Sequence, residues 1–227
     1  MHRHSTRYAQ QGMIMNAIGF SGAWWIWPVV AALYVLFRAW YDNWRKPLST
    51  QEVAHYMRLI QTSPGTEHTD PQVLRQFLAR DDGKEFVMCN LVRLHAQPVP
   101  HPLTGVLTPS RQLIQEYFRP FAVTLFLHGG HPVVTSRKVA GYIDSWNVPP
   151  DPGWTMVGMM RYRSRRDMME LTLNPRFMKA YPFKAAAVEQ TYSFPTQILS
   201  TMVLQPRSGV ALGLALMAAL VHLVSLL

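Results

Sequence analysis

The sequence predicts an α+β protein: a central domain with element order β-α-β-β-α-β, strung between two hydrophobic helices, one near each end. Three observations carry that prediction. Tyr8 to Phe37 contains no Asp, Glu, Lys or Arg. Ser208 to Leu227 has His222 as its only ionisable side chain. Between these segments, apolar residues alternate between strand-like and helical spacing.

After an N-terminal tail (1–16), a transmembrane helix is expected over 17–40. Ile18 to Phe37 reads IGFSGAWWIWPVVAALYVLF, matching the about 20 mainly apolar residues needed to cross a hydrocarbon core about 30 Å thick. Trp24, Trp25 and Trp27 lie towards one end, and Trp40, Tyr41 and Trp44 at the other, where amphipathic rings favour the headgroup zone. Pro28 is tolerated in a bilayer helix as a kink. A cleaved signal carries an apolar region of about 7–15 residues followed by small residues at the cleavage site. Here the run is longer and passes into Phe37-Arg38-Ala39-Trp40. The second expected span, 208–227, reads SGVALGLALMAALVHLVSLL and resembles a C-terminal tail anchor. Gly209, Ala211 and Gly213 give it a small-residue surface suited to helix packing. The competing reading makes both segments buried core helices. Two spans would place both termini on one side of the bilayer and the central domain on the other.

Residues 41–83 read as a helical collar. Ser49-Thr50-Gln51-Glu52 fits a capping box, and Val53, Tyr56, Met57 and Ile60 follow at helical spacing, ended by Ser63-Pro64-Gly65. Asp70-Pro71 starts a second helix, Asp70 capping it and Pro71 taking the first helical position. Val73, Leu74, Phe77 and Leu78 form its apolar face.

Residues 84–200 read as the main domain. Phe86 to Val92 is a near-continuous apolar run, the pattern of a strand covered on both faces. A Pro- and Gly-rich loop, Gln97 to Pro109, leads to a helix from about Ser110, with Pro120 expected to kink or divide it. The chain turns at Gly129-Gly130. Strands are expected at Val133 to Ile143 and Trp154 to Tyr162, joined by a Pro-rich turn. Ser164 with Asp167 caps a short helix, Arg176 to Ala187 forms another, and Glu189 to Ile198 is the last strand. That order is the ferredoxin-like arrangement.

With 227 residues, roughly 165 lie between the spans, enough for one domain with its own core. The net charge of +9 raises nucleic acid as a partner. The positive charges are scattered, however, and form no basic stripe interleaved with aromatics. Clusters at Arg161, Arg163, Arg165 and Arg166, at Arg3 and Arg7, and at Arg45 and Lys46 read instead as attraction to an anionic membrane surface and solvation of exposed faces. No nucleic-acid partner is expected. Cys89 is the single cysteine; it can form no internal disulfide and reads as an inert core thiol. Lys and Arg near span ends favour the cytoplasmic side. Arg38, Arg45, Lys46 and Arg207 against Arg3 and Arg7 tilt the central domain towards the cytoplasm, making this an integral membrane protein of the inner membrane if bacterial.

The segment from about Asp81 to Gln197 resembles a domain-of-unknown-function family of the dimeric α/β-barrel (ferredoxin-like) superfamily. The resemblance rests on Asp81-Asp82-Gly83-Lys84-Glu85-Phe86-Val87-Met88-Cys89-Asn90-Leu91, Gly129-Gly130, Arg161-Tyr162-Arg163-Ser164-Arg165, Phe183-Lys184-Ala185-Ala186-Ala187 and Thr191. It covers about half the chain and implies a homodimer with two sheets face to face. The apolar strands agree: two helices cover one face, and the other needs a partner sheet. The two spans and the collar lie outside the shared domain. Related branches hold small hydrophobic substrates, among them cofactor-independent monooxygenases, isomerases and haem-degrading enzymes; no haem-ligand pattern is present here.

His128 and His131 flank Gly129-Gly130, and His95 and His101 follow the first strand. A metal site needs three or four converging ligands, and ordinary turn histidines are the simpler reading, so neither metal nor cofactor is expected. No Gly-x-Ser-x-Gly elbow, phosphate loop or HExxH occurs. Met156, Met159, Met160, Met168 and Met169 read as core filling. The ligand-pocket candidates are polar residues in or beside apolar strands: Asn90, Arg93 and Arg161, with Tyr142 and Trp154. The simpler reading is that these groups hydrogen-bond the adjacent helix ends or Asp144. Two functions follow. One is an accessory or structural subunit of a larger membrane complex, dimerised through its barrel, with the bilayer and a membrane protein as partners. The other is a membrane-tethered enzyme or binder for a small hydrophobic molecule.

Overall fold

A computed structural model describes residues 23–63 and 66–227. The expected tail (1–16), the first residues of the expected first span (17–22), and Pro64-Gly65 lie outside the described residues. In chain order the elements are α1 (Ile26–Tyr41), α2 (Thr50–Thr62), α3 (Pro71–Ala79), β1 (Phe86–Leu94), β2 (Val99–Pro100), β3 (Leu107–Thr108), α4 (Ser110–Leu127), β4 (His131–Arg137), β5 (Met156–Tyr162), α5 (Arg165–Thr172), α6 (Pro175–Ala187), β6 (Val188–Thr196) and α7 (Pro206–Val224). They form two compact units. One holds the described residues up to Trp40 with Thr201–Leu227, and the other is Tyr41–Ser200.

In the first unit, α7 spans 19 residues and is long and apolar enough to cross a membrane. Its side chains are almost all outward, so it is not the buried core helix of a globular domain. The apolar helix α1 is shorter, at 16 residues. The residues just before α1 meet the C-terminal end of α7. The Ala23 amide donates to Ser225 Oγ at 2.9 Å, and the Trp24 ring stands edge-on to His222 at 4.5 Å. Val30 and Ala218 are buried in this unit. Among the described residues, a Cβ at Gly213 would meet nothing within 4 Å and one at Gly209 only Leu204, so neither glycine packs against the described part of α1. Trp24, Trp25, Trp27, Trp40 and Trp44, expected at the membrane interface, are exposed. Tyr41 departs from that expectation, being buried.

The second unit is an antiparallel four-stranded sheet, in the order β4-β5-β1-β6. Phe86, Met88, Met160 and Tyr162 share one face by register and join the main core with Tyr117 and Phe121 of α4. The Phe86 and Tyr162 rings stack at 5.2 Å. Met57 of α2, Leu78 of α3 and Met169 of α5 belong to this same core. The segment expected as a collar is therefore part of the domain. Its helices start where the sequence places them: Ser49 and Glu52 make a reciprocal capping box, and Asp70 caps α3 with Pro71 following.

Three boundaries differ from expectation. Pro120 does not divide α4, which runs unbroken to Leu127. The loop Gln97 to Pro109 contains the small β2–β3 hairpin. The strand expected over Val133 to Ile143 stops at Arg137, because β5 begins at its pairing partner Met156 and offers no edge beyond. Residues 138–153 form an irregular loop instead, closed by the Lys138–Asp151 ion pair. The tight turn from α4 into β4 uses Gly129 at φ +70 and Gly130, where a Cβ would lie 2.6 Å from the Arg161 carbonyl oxygen.

The arginines of the β5–α5 corner are turned inward, contrary to the membrane-surface reading. Arg166 pairs with Glu52 at 2.8 Å, Arg165 with Asp81 at 3.5 Å, and Arg163 with Asp167 at 2.5 Å. Arg45 also reaches Asp167, at 2.8 Å. Asp167 is 1 % exposed. Burial pushes its carboxyl up, but hydrogen bonds from Arg163 and Ser164 and the charges of Arg163 and Arg45 outweigh this and hold it below the usual range. A depressed carboxyl stabilises the fold above its unfolded pKa of about 3.9 and loses that contribution as pH falls through the lower folded value. Thermal unfolding followed by circular dichroism should therefore show wild-type stability declining in acid below about pH 4. Asp167→Asn should be less stable at neutral pH by about 3 kcal/mol and flatter with pH in that acid window.

Candidate functional site

Arg161 is held at one end of the sheet by the chain on every side. It is 2 % exposed. Its Nε and Nη2 donate to the Glu85 carboxylate at 2.9 and 2.5 Å, and Nη2 also donates to the Tyr41 carbonyl at 3.1 Å. Nη1 donates to the Gly129 carbonyl. The guanidinium lies 3.9 Å from the centre of the Tyr41 ring, a desolvated cation–π contact. The Tyr41 hydroxyl sits 2.8 Å from His131 Nε2. This explains why Tyr41 is buried: its ring covers a charge.

Asn90 is satisfied within the sheet. Its Nδ2 donates to the Met88 and Gly158 carbonyls, both at 3.1 Å, and its Oδ1 accepts from Ser193 Oγ at 2.8 Å. Asn90 pairs with Gly158 and Val87 with Arg161. Side chains alternate between the faces of a strand, so Asn90 and Arg161 point to opposite sides of the sheet. The single cleft expected from Asn90, Arg93, Tyr142, Trp154 and Arg161 is therefore not assembled. Tyr142 and Trp154 do meet, with the indole N–H donating to the Tyr142 hydroxyl at 2.9 Å, and the Trp154 ring lies 5.2 Å from that of Tyr192. Arg93 is apart from them, paired with Glu189 at 2.8 Å.

The histidines have separate local partners. His101 Nε2 lies 3.2 Å from Glu116 while its Nδ1 accepts the Leu103 and Thr104 amides. His128 Nδ1 is 2.8 Å from the Thr124 carbonyl. Among the described residues, no group of three or more His, Cys, Asp or Glu is placed to hold a metal. Cys89 is buried, and burial raises its thiol pKa.

Two features were missed in the sequence. Burial pulls the Lys184 amine below the ordinary lysine range, and it lies 5.8 Å from the Tyr117 ring centre; a lysine between Phe183 and Ala185 is its only trace in the sequence. The other is a cleft of about 380 Å³ at the start of α4, lined by Arg93, His95, Ser110, Arg111, Gly153 and Glu189 among others. Its signal was Pro109 at the N-cap, which offers the helix no side-chain cap.

No protein-family model matches the chain, and no curated protein matches it. The described fold is similar to the crystal structure of a protein of unknown function from Rhodopseudomonas palustris, at 24% identity and TM-score 0.47, covering 59% of this chain and 98% of that one. A methylated form of that protein is similar at 24% identity and TM-score 0.48, covering 61% and 99%.

These geometries separate structural from spare groups. Arg161→Met removes one partner of a buried pair and should lower stability by about 3–5 kcal/mol. Arg93→Met breaks a half-exposed pair and should cost less than about 1 kcal/mol. Melting the full-length variants in detergent checks this; equal losses would contradict the assignment.

Proposed function

We propose that this protein is a membrane-anchored accessory or structural subunit whose ferredoxin-like domain forms a homodimer beside a larger membrane complex. The observation that carries the reading is the uncovered face of the sheet. By register, Val134, Met159, Tyr192 and Phe194 lie on the face opposite the helices, and all four are exposed. A sheet face carrying large apolar groups is stabilised by burial against a second layer. A second copy supplies one by packing its own sheet about 10 Å away. The strand order β4-β5-β1-β6, with α4 and α6 between their flanking strands, fits the ferredoxin-like arrangement.

Support for a further partner comes from the 138–153 loop. Val139, Ile143, Trp146 and Val148 are all exposed there, although the loop is fixed by its own ion pair and by the Trp146 indole donating to Asp144 at 2.8 Å. Such a patch fits a protein surface that would cover it. The apolar helix α7 supports anchoring, and the unused Gly209 and Gly213 leave it a small-residue surface for a partner helix. The basic residues after the first apolar segment and before the second favour a cytoplasmic domain in the inner membrane of a bacterium. The alternative reading, an enzyme or binder for a hydrophobic molecule, has less support, since Asn90 and Arg161 lie on opposite faces of the sheet.

The full chain in nanodiscs should have the mass of a dimer, and Phe194→Lys should shift it to monomer without lowering helix content. Mild extraction from native membranes should bring down a stoichiometric protein that Trp146→Ala weakens. A wild-type monomer with no companion would overturn the proposal.

A further inference from the structure

The cleft at the start of α4 has the parts of an anion site. The helix is 18 residues long, starts after Pro109, has no side-chain cap and carries no acidic residue in its first turn. Its opening amides therefore present uncompensated positive ends of peptide dipoles. Ser110, the first helical residue, is 4 % exposed and lines the cleft, yet its Oγ has no hydrogen-bond partner among the described residues. Leaving a buried hydroxyl unpaired is costly, and a bound ligand would remove that cost. Arg111 lines the cleft beside it. Its guanidinium is exposed, and no ion pair engages it among the described residues. The one carboxylate in the lining, Glu189, is already paired to Arg93. Arg111 and the helix start thus leave the cleft net positive, with the His95 ring alongside.

We propose that this cleft binds a phosphate group of a small molecule or a lipid headgroup. The phosphate would accept from the Ser110 and Arg111 amides, the Ser110 hydroxyl and the Arg111 guanidinium, the donor set that helix-start phosphate sites use. The cleft volume of about 380 Å³ exceeds what one tetrahedral ion fills and lies at the lower end of the range for small-molecule sites, about 300–1,000 Å³. It leaves room for the group that carries the phosphate. This reading is independent of dimerisation and of any membrane partner.

The test titrates inorganic phosphate into the full chain in zwitterionic-lipid nanodiscs, following the Ser110 and Arg111 amide resonances. The expected result is a saturable shift at both amides. Arg111→Gln should weaken binding about tenfold or more, the effect of losing a charge-assisted hydrogen bond. Ser110→Ala should weaken it several-fold and leave the melting temperature unchanged or higher, since a buried unpaired hydroxyl is removed. Nanodiscs containing phosphatidic acid separate the sources: abolished phosphate binding assigns the site to a lipid headgroup, and unchanged binding assigns it to a soluble phosphate ester. Absence of a saturable shift, or wild-type affinity in Arg111→Gln, would overturn the proposal.

Discussion

The inward-facing arginines at the β5–α5 corner are the constraint on which the rest of the domain depends. Arg161, Arg165 and Arg166 each take an acid from the chain before β1: Glu85, Asp81 and Glu52. The Arg166 and Arg165 pairings bring α2 and α3 onto the helix face of the sheet, where Met57 and Leu78 complete the core, while Arg161, on the opposite face, ties Glu85 and Tyr41 to the end of the sheet. Burying guanidinium groups carries a large desolvation cost, offset only where several hydrogen bonds meet each group. Arg161 meets that condition with a carboxylate, two carbonyls and an aromatic face. Arg166 meets it with Glu52 and the Lys46 carbonyl. The cluster therefore specifies where the N-terminal part of the domain docks more than it adds net stability.

That docking fills one face of the sheet and leaves Met159, Tyr192 and Phe194 exposed on the other. Val87 and Cys89 on the uncovered face are buried, whereas Met159, Tyr192 and Phe194 around them are exposed. The centre of that face is closed within one copy, and apolar side chains stand exposed around it. The methionines divide the same way. Met160, Met168 and Met169 fill the core, and Met159 stands on the open face.

Local signals were readable in the sequence, and contacts distant along the chain were not. Ser49 with Glu52, Asp70 with Pro71, and Ser164 with Asp167 all mark helix starts that the structure keeps. Each depends on hydrogen bonds spanning two or three residues. The pairings of Arg161 with Glu85 and Arg166 with Glu52 join residues 76 and 114 positions apart. Nothing in local spacing announces such partners, so spacing alone reads the arginine run as a solvated or membrane-facing patch. The pocket candidates failed for a related reason. Asn90 and Arg161 are both polar groups in apolar strands, but only the register decides that they face opposite ways. The strand beyond Arg137 was over-extended because alternation persists in the sequence after the neighbouring strand has ended. The cleft at α4 went unseen because its signal is an absence, the lack of a capping side chain at Pro109.

The central claim is that a second copy covers the open sheet face. The direct measurement is the distance between spin labels placed at Lys179→Cys, on the exposed side of α6, in a Cys89→Ala background of the full chain in nanodiscs. Two sheets packed face to face hold their outer helices at one fixed separation, so the account predicts a single narrow distance between the two copies. That distance should disappear on introducing Phe194→Lys. A broad distribution, or no dipolar coupling between labels while Phe194 is retained, would contradict it.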